Sequence, residues 1–235
     1  MTAAIVSWDP IDLPIASGIG GQRHEIQFAD INGDGRADYL WVHPSGAVTL
    51  YLNGGQLPGS ATPANINWLN QGQIADGIGY PGSAIQFADL NGDGRAEYLA
   101  VGADGSVVGY ENGGFTPNYV TGQGFVNWIP IPGNIADGVG GVRNQTVFAD
   151  VNGLGRASYL KVTRSGSGAV SEWRNNGGDS TRFVIWDPVF GSITGGDGSS
   201  GANIVFADLN GDGRAEYLEV DPLTSAVTAY LNGCV

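Results

Sequence analysis

The chain has 235 residues, of which 42% are hydrophobic and 40 are glycine, and it carries a formal net charge of −13. That apolar content supports one cored domain and excludes a disordered chain. The charge argues against nucleic acid and anionic membranes as partners, and no apolar run approaches the roughly 18 residues of a membrane helix, so no membrane insertion is expected.

The first ten residues, Met1 to Pro10, lack a basic region followed by a long apolar stretch. This is the pattern of a chain made without a secretory leader, or of a processed form with an added Met. Within them, Val6-Ser7-Trp8-Asp9-Pro10 reads as a short strand. A glycine-rich stretch follows, Ile15-Ala16-Ser17-Gly18-Ile19-Gly20.

The next segment, Phe28 to Val42, is the unit on which the chain is built. FADINGDGRADYLWV recurs as FADLNGDGRAEYLAV from Phe87, FADVNGLGRASYLKV from Phe148 and FADLNGDGRAEYLEV from Phe206. The spacings are 87 − 28 = 59, 148 − 87 = 61 and 206 − 148 = 58. A period near sixty marks one supersecondary unit stacked on copies of itself.

Each unit reads as four strands. The first ends at Asp30, Asp89, Asp150 or Asp208; the second is Ala37 to Val42 and its copies. The third is Ala47 to Leu52, Ser106 to Asn112, Ala169 to Asn175 and Ala226 to Asn232. The fourth centres on Trp68, Trp128 or Trp186. Branched and aromatic residues in short runs between glycine turns predict antiparallel β-structure, and nothing shows a sustained helical period.

The last unit stops after its third strand, at Leu231-Asn232-Gly233-Cys234-Val235, while the strand around Trp8 matches the one around Trp186. The expected fold is therefore all-β: a four-bladed β-propeller closed by the N-terminal strand as the outer strand of the last blade. Its parts are 1–14 (the closing strand), 15–73 (blade 1), 74–134 (blade 2), 135–192 (blade 3) and 193–235 (the rest of blade 4). A closed single chain is the preferred geometry. Two chains exchanging these strands in a larger ring, a homo-oligomer, is the competing one. Cys234 has no partner for an internal disulfide.

The repeated loops carry the recognisable chemistry. Asp30, Asn32, Asp34 and Asp38 fall at positions 1, 3, 5 and 9, with glycine at position 6 and the carbonyl of Arg36 at position 7. Alternate oxygen side chains around a glycine bend can wrap a hard cation, Ca²⁺ before Mg²⁺. Blade 2 offers Asp89, Asn91, Asp93, Glu97 and the carbonyl of Arg95; blade 4 offers Asp208, Asn210, Asp212, Glu216 and the carbonyl of Arg214. In blade 3, Leu154 and Ser158 replace two acids beside Asp150 and Asn152, so that loop is expected to be empty. The plainer reading of Asp-x-Asn-Gly is a turn in which Asx side chains bond their own backbone. Arg156 recurs even where the acids fail, which points to a structural job for Arg36, Arg95, Arg156 and Arg214. The repeated Tyr39, Tyr98, Tyr159 and Tyr217 are expected to pack between blades.

The phrase F-A-D-x-N-G-D-G-R-A-x-Y-L resembles the FG-GAP/VCBS repeat of integrin-α-type propellers. In wording it is most similar to fungal propeller lectins that recognise N-acetylglucosamine. The resemblance covers all four units and implies strand-loop-strand calcium sites and glycan binding. Those relatives usually carry seven blades; this chain has four.

The linkers between units supply candidate ligand contacts: Asp76 and Gly77 in one, Asp137 and Gly138 in the next. The competing reading is that these glycines only turn the chain. His24 and His43 do not recur, no Ser/His/Asp or Cys/His constellation is readable, and no phosphate-loop motif appears, so an enzyme is not expected. The expected function is a calcium-binding, carbohydrate-binding module. The alternatives are a holder of another small molecule or pigment, and a protein-interaction scaffold.

Overall fold

A computed structural model describes residues 15–16, 18–57, 66–118, 120–121, 123–164, 166–196, 198 and 203–233. It is an all-β, four-bladed propeller. The first blade is β1 (Ile26–Ala29), β2 (Asp38–Val42), β3 (Val48–Gln56) and β4 (Ile66–Ala75), antiparallel and paired in that order. The second is β5 (Ile85–Ala88), β6 (Glu97–Val101), β7 (Val107–Thr116) and β8 (Phe125–Pro130). The third is β9 (Thr146–Ala149), β10 (Ser158–Val162), β11 (Val170–Asn175) and the short β12 (Trp186–Pro188). The fourth has β13 (Ile204–Ala207), β14 (Glu216–Val220) and β15 (Val227–Tyr230) among the described residues. The strand expected to complete it lies in residues 1–14, outside the described residues.

Register follows the repeat. Phe28 pairs with Tyr39, Phe87 with Tyr98, Phe148 with Tyr159 and Phe206 with Tyr217. These Phe and Tyr rings meet edge to face at centroid separations of 5.5 to 5.9 Å, a favoured aromatic geometry. The outer-strand Trp closes each cluster: Trp68 on Tyr39, Trp128 on Tyr98, Trp186 on Tyr159.

The hydrophobic core lies between blades. One cluster joins blades 1 and 2 through Ile31, Val48, Leu50 and Tyr98; a second joins blades 2 and 3 through Leu90, Val107 and Tyr159; a third joins blades 3 and 4 through Val151, Val170 and Tyr217. Blades 2, 3 and 4 each reach back to the one before with the same three bonds. The amides of Ala96, Ala157 and Ala215 donate to the carbonyls of Asp30, Asp89 and Asp150. The side-chain amides of Asn112, Asn175 and Asn232 donate to the carbonyls of Ile31, Leu90 and Val151. The hydroxyls of Tyr98, Tyr159 and Tyr217 donate to the carbonyls of Gly46, Gly105 and Gly168. The tyrosines thus do the inter-blade work expected of them. Glycine is required at the first of these acceptors: at Gly46, φ is +87° and a β-carbon would lie 2.6 Å from the carbonyl oxygen of Tyr80.

The arginines serve both their own loop and the neighbouring blade. Arg36 pairs with Asp34 and donates to the carbonyl of Asn53; Arg95 pairs with Asp93 and donates to that of Asn112. The stems of Arg95, Arg156 and Arg214 lie over Gly33, Gly92 and Gly153 of the preceding blade. No helix among the described residues is long and apolar enough to cross a membrane.

Candidate functional site

The Asp-rich loops join the first and second strands of each blade. In blade 1 the Asp30 carboxylate accepts the amides of Gly33, Asp34 and Gly35, at 2.7, 3.2 and 2.7 Å. Asn32 Oδ1 accepts the amide of Asp34, and Asp34 Oδ1 accepts that of Arg36. Side chains thus replace the missing backbone acceptors of a tight loop, as Asx turns do. Blades 2 and 4 repeat this around Asp89 and Asn91 and around Asp208 and Asn210.

The ninth position turns inward. Asp38 is fully buried and accepts the amides of Ile31 and Asn53, pinning the loop to the third strand. Burial raises its carboxyl to about 6, against the lowering effect of those two amides. Glu97 is likewise fully buried and accepts the amide of Leu90. Its Oε1 faces the Asn112 amide without a hydrogen bond of full geometry, and burial, with Asp89 and Asp93 nearby, pushes its pKa up to about 8. Glu216 accepts the amide of Leu209.

Blade 3 is built differently. Asp150 still gathers the amides of Asn152, Gly153, Leu154 and Gly155. Ser158, however, donates its hydroxyl at 2.8 Å to Glu172, and the Asn152 side chain donates to the same oxygen. Glu172 is a buried acid on β11 that reading the loop alone passes over. Its register partner is Leu160. The matching pairs elsewhere are Leu40 with Leu50, Leu99 with Gly109 and Leu218 with Ala229. The short Asp38 goes with a large Leu50. The longer Glu97 and Glu216 go with Gly109 and Ala229. The small Ser158 goes with an acid. The third blade therefore keeps one inner carboxylate, delivered from a neighbouring strand.

Each of the three acidic loops thus gathers its predicted side chains within nine residues, with one guanidinium as counter-charge. Among the described residues no group of three or more Asp, Glu, His or Cys side chains already converges on a common metal position. The oxygens are held instead by loop amides and arginine. A cation would have to replace some of these bonds. The buried, unpartnered Oε1 of Glu97 is the feature that fits one.

The linker residues lie on the opposite face from the Asp loops, beside the β2–β3 and β6–β7 turns. Asp76 and Asp137 are exposed and accept from Gln73 and Asn134. A β-carbon on Gly77 would lie 2.8 Å from the carbonyl of Ser45, and one on Gly138 2.8 Å from that of Asp104. Close packing therefore accounts for both glycines without a ligand.

On that face, between blades 2 and 3, lies an open groove of about 810 Å³. Ser83, Gln86, Arg143, Asn144, Thr146 and Arg164 line it. Gln86 reaches across to the carbonyl of Thr146, and Arg143 to that of Val101. These residues do not belong to the repeated motif, so the repeat gives no signal for them. His43 is committed structurally, stacked on Trp41 with Nε2 3.0 Å from Thr49 Oγ1.

Residues 30–100 match the FG-GAP-like repeat family and residues 81–126 the FG-GAP repeat. No curated protein matches the chain in sequence. Among solved structures, it is similar to part of the Photorhabdus luminescens Tc holotoxin pore, at 21% identity and a TM-score of 0.49, over 88% of this chain and 9% of that one. It is also similar to an Agrocybe aegerita lectin described as recognising non-reducing terminal N-acetylglucosamine, at 22% identity and a TM-score of 0.46, over 82% of this chain and 45% of that one. The chain thus spans less than half the length of either protein, and likeness at this level transfers neither ligand nor activity.

Proposed function

Taking the chain as a propeller built of FG-GAP repeats, we propose that it is a non-catalytic, calcium-binding module that binds carbohydrate. The groove between blades 2 and 3 carries this reading. It is open and of ligand size, and its walls present hydroxyl and amide groups that both donate to and accept from sugar hydroxyls, with guanidinium groups that donate. Weak sites of this kind gain strength when several are engaged at once.

In the proposed calcium sites, Asp30, Asn32, Asp34, Asp38 and the Arg36 carbonyl would hold one ion. Asp89, Asn91, Asp93, Glu97 and the Arg95 carbonyl would hold a second. Asp208, Asn210, Asp212, Glu216 and the Arg214 carbonyl would hold a third. Calcium would supply positive charge to loops that crowd three carboxylates around one arginine, and would stabilise the fold by mass action.

Glycan-array and calorimetric titration with N-acetylglucosamine-terminated and chitin-type sugars tests the carbohydrate reading. Binding that is lost in Asn144→Ala is the expected result. An array without hits, or binding untouched by that change, refutes the groove as the site. Metal content after dialysis against calcium tests the ion sites separately.

A further inference from the structure

The groove between blades 2 and 3 differs in charge from the rest of the molecule. Blade 3, residues 135–192, holds six of the ten Lys and Arg residues and five of the 23 Asp and Glu, a net charge of +1. The remainder of the chain carries −14. Two of those six cations, Arg143 and Arg164, line the groove, and among the described residues no acid does. Lys161, the register partner of Thr146, adds a third cation on the same blade. Asp104, next to Ala103 in the chain, is engaged with the amide and hydroxyl of Ser106, and Asp137 with the Asn134 side chain.

The two guanidiniums are set in place before any ligand arrives. Arg143 donates its Nε–H to the Val101 carbonyl across the junction, at 2.8 Å, and Arg164 donates its own to the Asn144 carbonyl. Each bond uses one donor and fixes the plane of the fork. Among the described residues Arg143 makes no other hydrogen bond and no ion pair. Burial lowers the Arg164 pKa, so its charge stands in a partly dehydrated place.

This pair of arginines is peculiar to blade 3. Arg143 lies five residues before Phe148, and Arg164 sixteen after it. The same places hold Arg23 and Pro44 in blade 1, Gly82 and Ala103 in blade 2, and Gly201 and Pro222 in blade 4. Between blades 1 and 2 the main chain closes this place. The Gly82 amide donates to the Pro44 carbonyl at 2.9 Å, and a β-carbon on Gly82 would strike the His43 carbonyl. One junction on, Arg143 stands there and the groove opens beside it.

We propose that this groove takes a glycan bearing an acidic group, a carboxylate or a sulfate, with the two guanidiniums on the acid and Ser83 and Asn144 on the sugar hydroxyls. This rests on the carbohydrate reading above and names the class of sugar. A planar guanidinium matches the paired oxygens of either acid, and the bonds are charge-assisted. An anion gains most at this groove, because the acidic remainder of the surface repels it.

Calorimetric titration of the full chain tests this. The probes are sialylated, glucuronate-bearing and sulfated oligosaccharides, each matched to the neutral oligosaccharide that lacks the acid. The acidic member of a pair is expected to bind about ten- to a hundredfold more tightly, with the preference shrinking at high salt. The sulfated arm against the other two distinguishes sulfate from carboxylate. Arg143→Gln is expected to remove most of the preference. Ser83→Asp sets a like charge on the exposed opposite wall and leaves both arginine bonds in place, and is expected to do the same. Melting temperatures check that both variants are folded. Acidic and neutral members bound alike overturn the inference and leave the carbohydrate reading standing. A preference that survives in folded Arg143→Gln and Ser83→Asp also overturns it, because the acid is then read elsewhere. Binding of no glycan of either kind overturns it together with the reading it rests on.

Discussion

Glu97 makes the stability of the metal-free protein depend on pH in an unusual direction. Its carboxyl is buried, and its pKa is raised from 4.5 to about 8. The folded state therefore holds a proton that the unfolded state has released, and stability falls as pH rises from the unfolded value through the folded one. Between pH 5 and pH 8 the loss from this group is about 3 to 4 kcal/mol, from about 1.4 kcal/mol per pH unit less the incomplete titration at each end. Denaturant unfolding at several pH values, in a chelator, measures it. Glu97→Gln keeps an acceptor for the Leu90 amide and removes the charge, so the slope should shrink and the variant should outlast the wild type at pH 8. Added calcium should reverse that order, because the ionised carboxylate then has a counter-charge and glutamine does not. A wild type in chelator whose stability is flat or rising from pH 5 to pH 8 would refute the reasoning.

Tyr98→Phe removes the hydroxyl that bonds the Gly46 carbonyl across the first junction. It should cost about 1 to 3 kcal/mol in denaturant unfolding while leaving the aromatic packing intact. Glu172→Ala strips the buried acceptor from Ser158 and Asn152. A loss of about 2 to 4 kcal/mol is expected by the same assay, and a loss below about 1 kcal/mol would show that blade 3 does not need its borrowed acid. Asp34→Ala, Asp93→Ala and Asp212→Ala should each reduce the rise in melting temperature produced by calcium. Asp150→Ala should lower the melting temperature with or without calcium, because four amides lose their acceptor. Equal calcium responses in all four variants would remove the distinction between the acidic loops and the third one.

Most of the fold is legible in the sequence because the repeat is close to literal. Phe28, Tyr39, Asn53 and Trp68 each recur at a fixed place, and each copy does the same mechanical job wherever its neighbouring blade is present. The candidate site is less legible. Asp30 and Asn32 read as cation ligands in the sequence, but the same residues suit a turn, and the loop amides already occupy them. Position alone does not reveal that Asp38 faces inward while Asp34 faces its arginine. Glu172 escapes a reading confined to the loop because it lies 22 residues beyond Asp150, and strand pairing is what brings it to Ser158 and Asn152. Ser83, Asn144 and Arg164 fall outside the periodic motif, so a groove that sets Ser83 of blade 2 opposite Asn144 and Arg164 of blade 3 depends on how neighbouring blades stack.

The pairing of loop acid with strand residue also limits what can be exchanged between blades. A Glu-bearing loop moved into blade 1 would drive its extra methylene against Leu50. An Asp-bearing loop moved into blade 3 would set a second carboxylate beside Glu172. Shuffling or consensus redesign of this ring must therefore carry two distant segments together, so the smallest transplantable unit is a loop with its third strand.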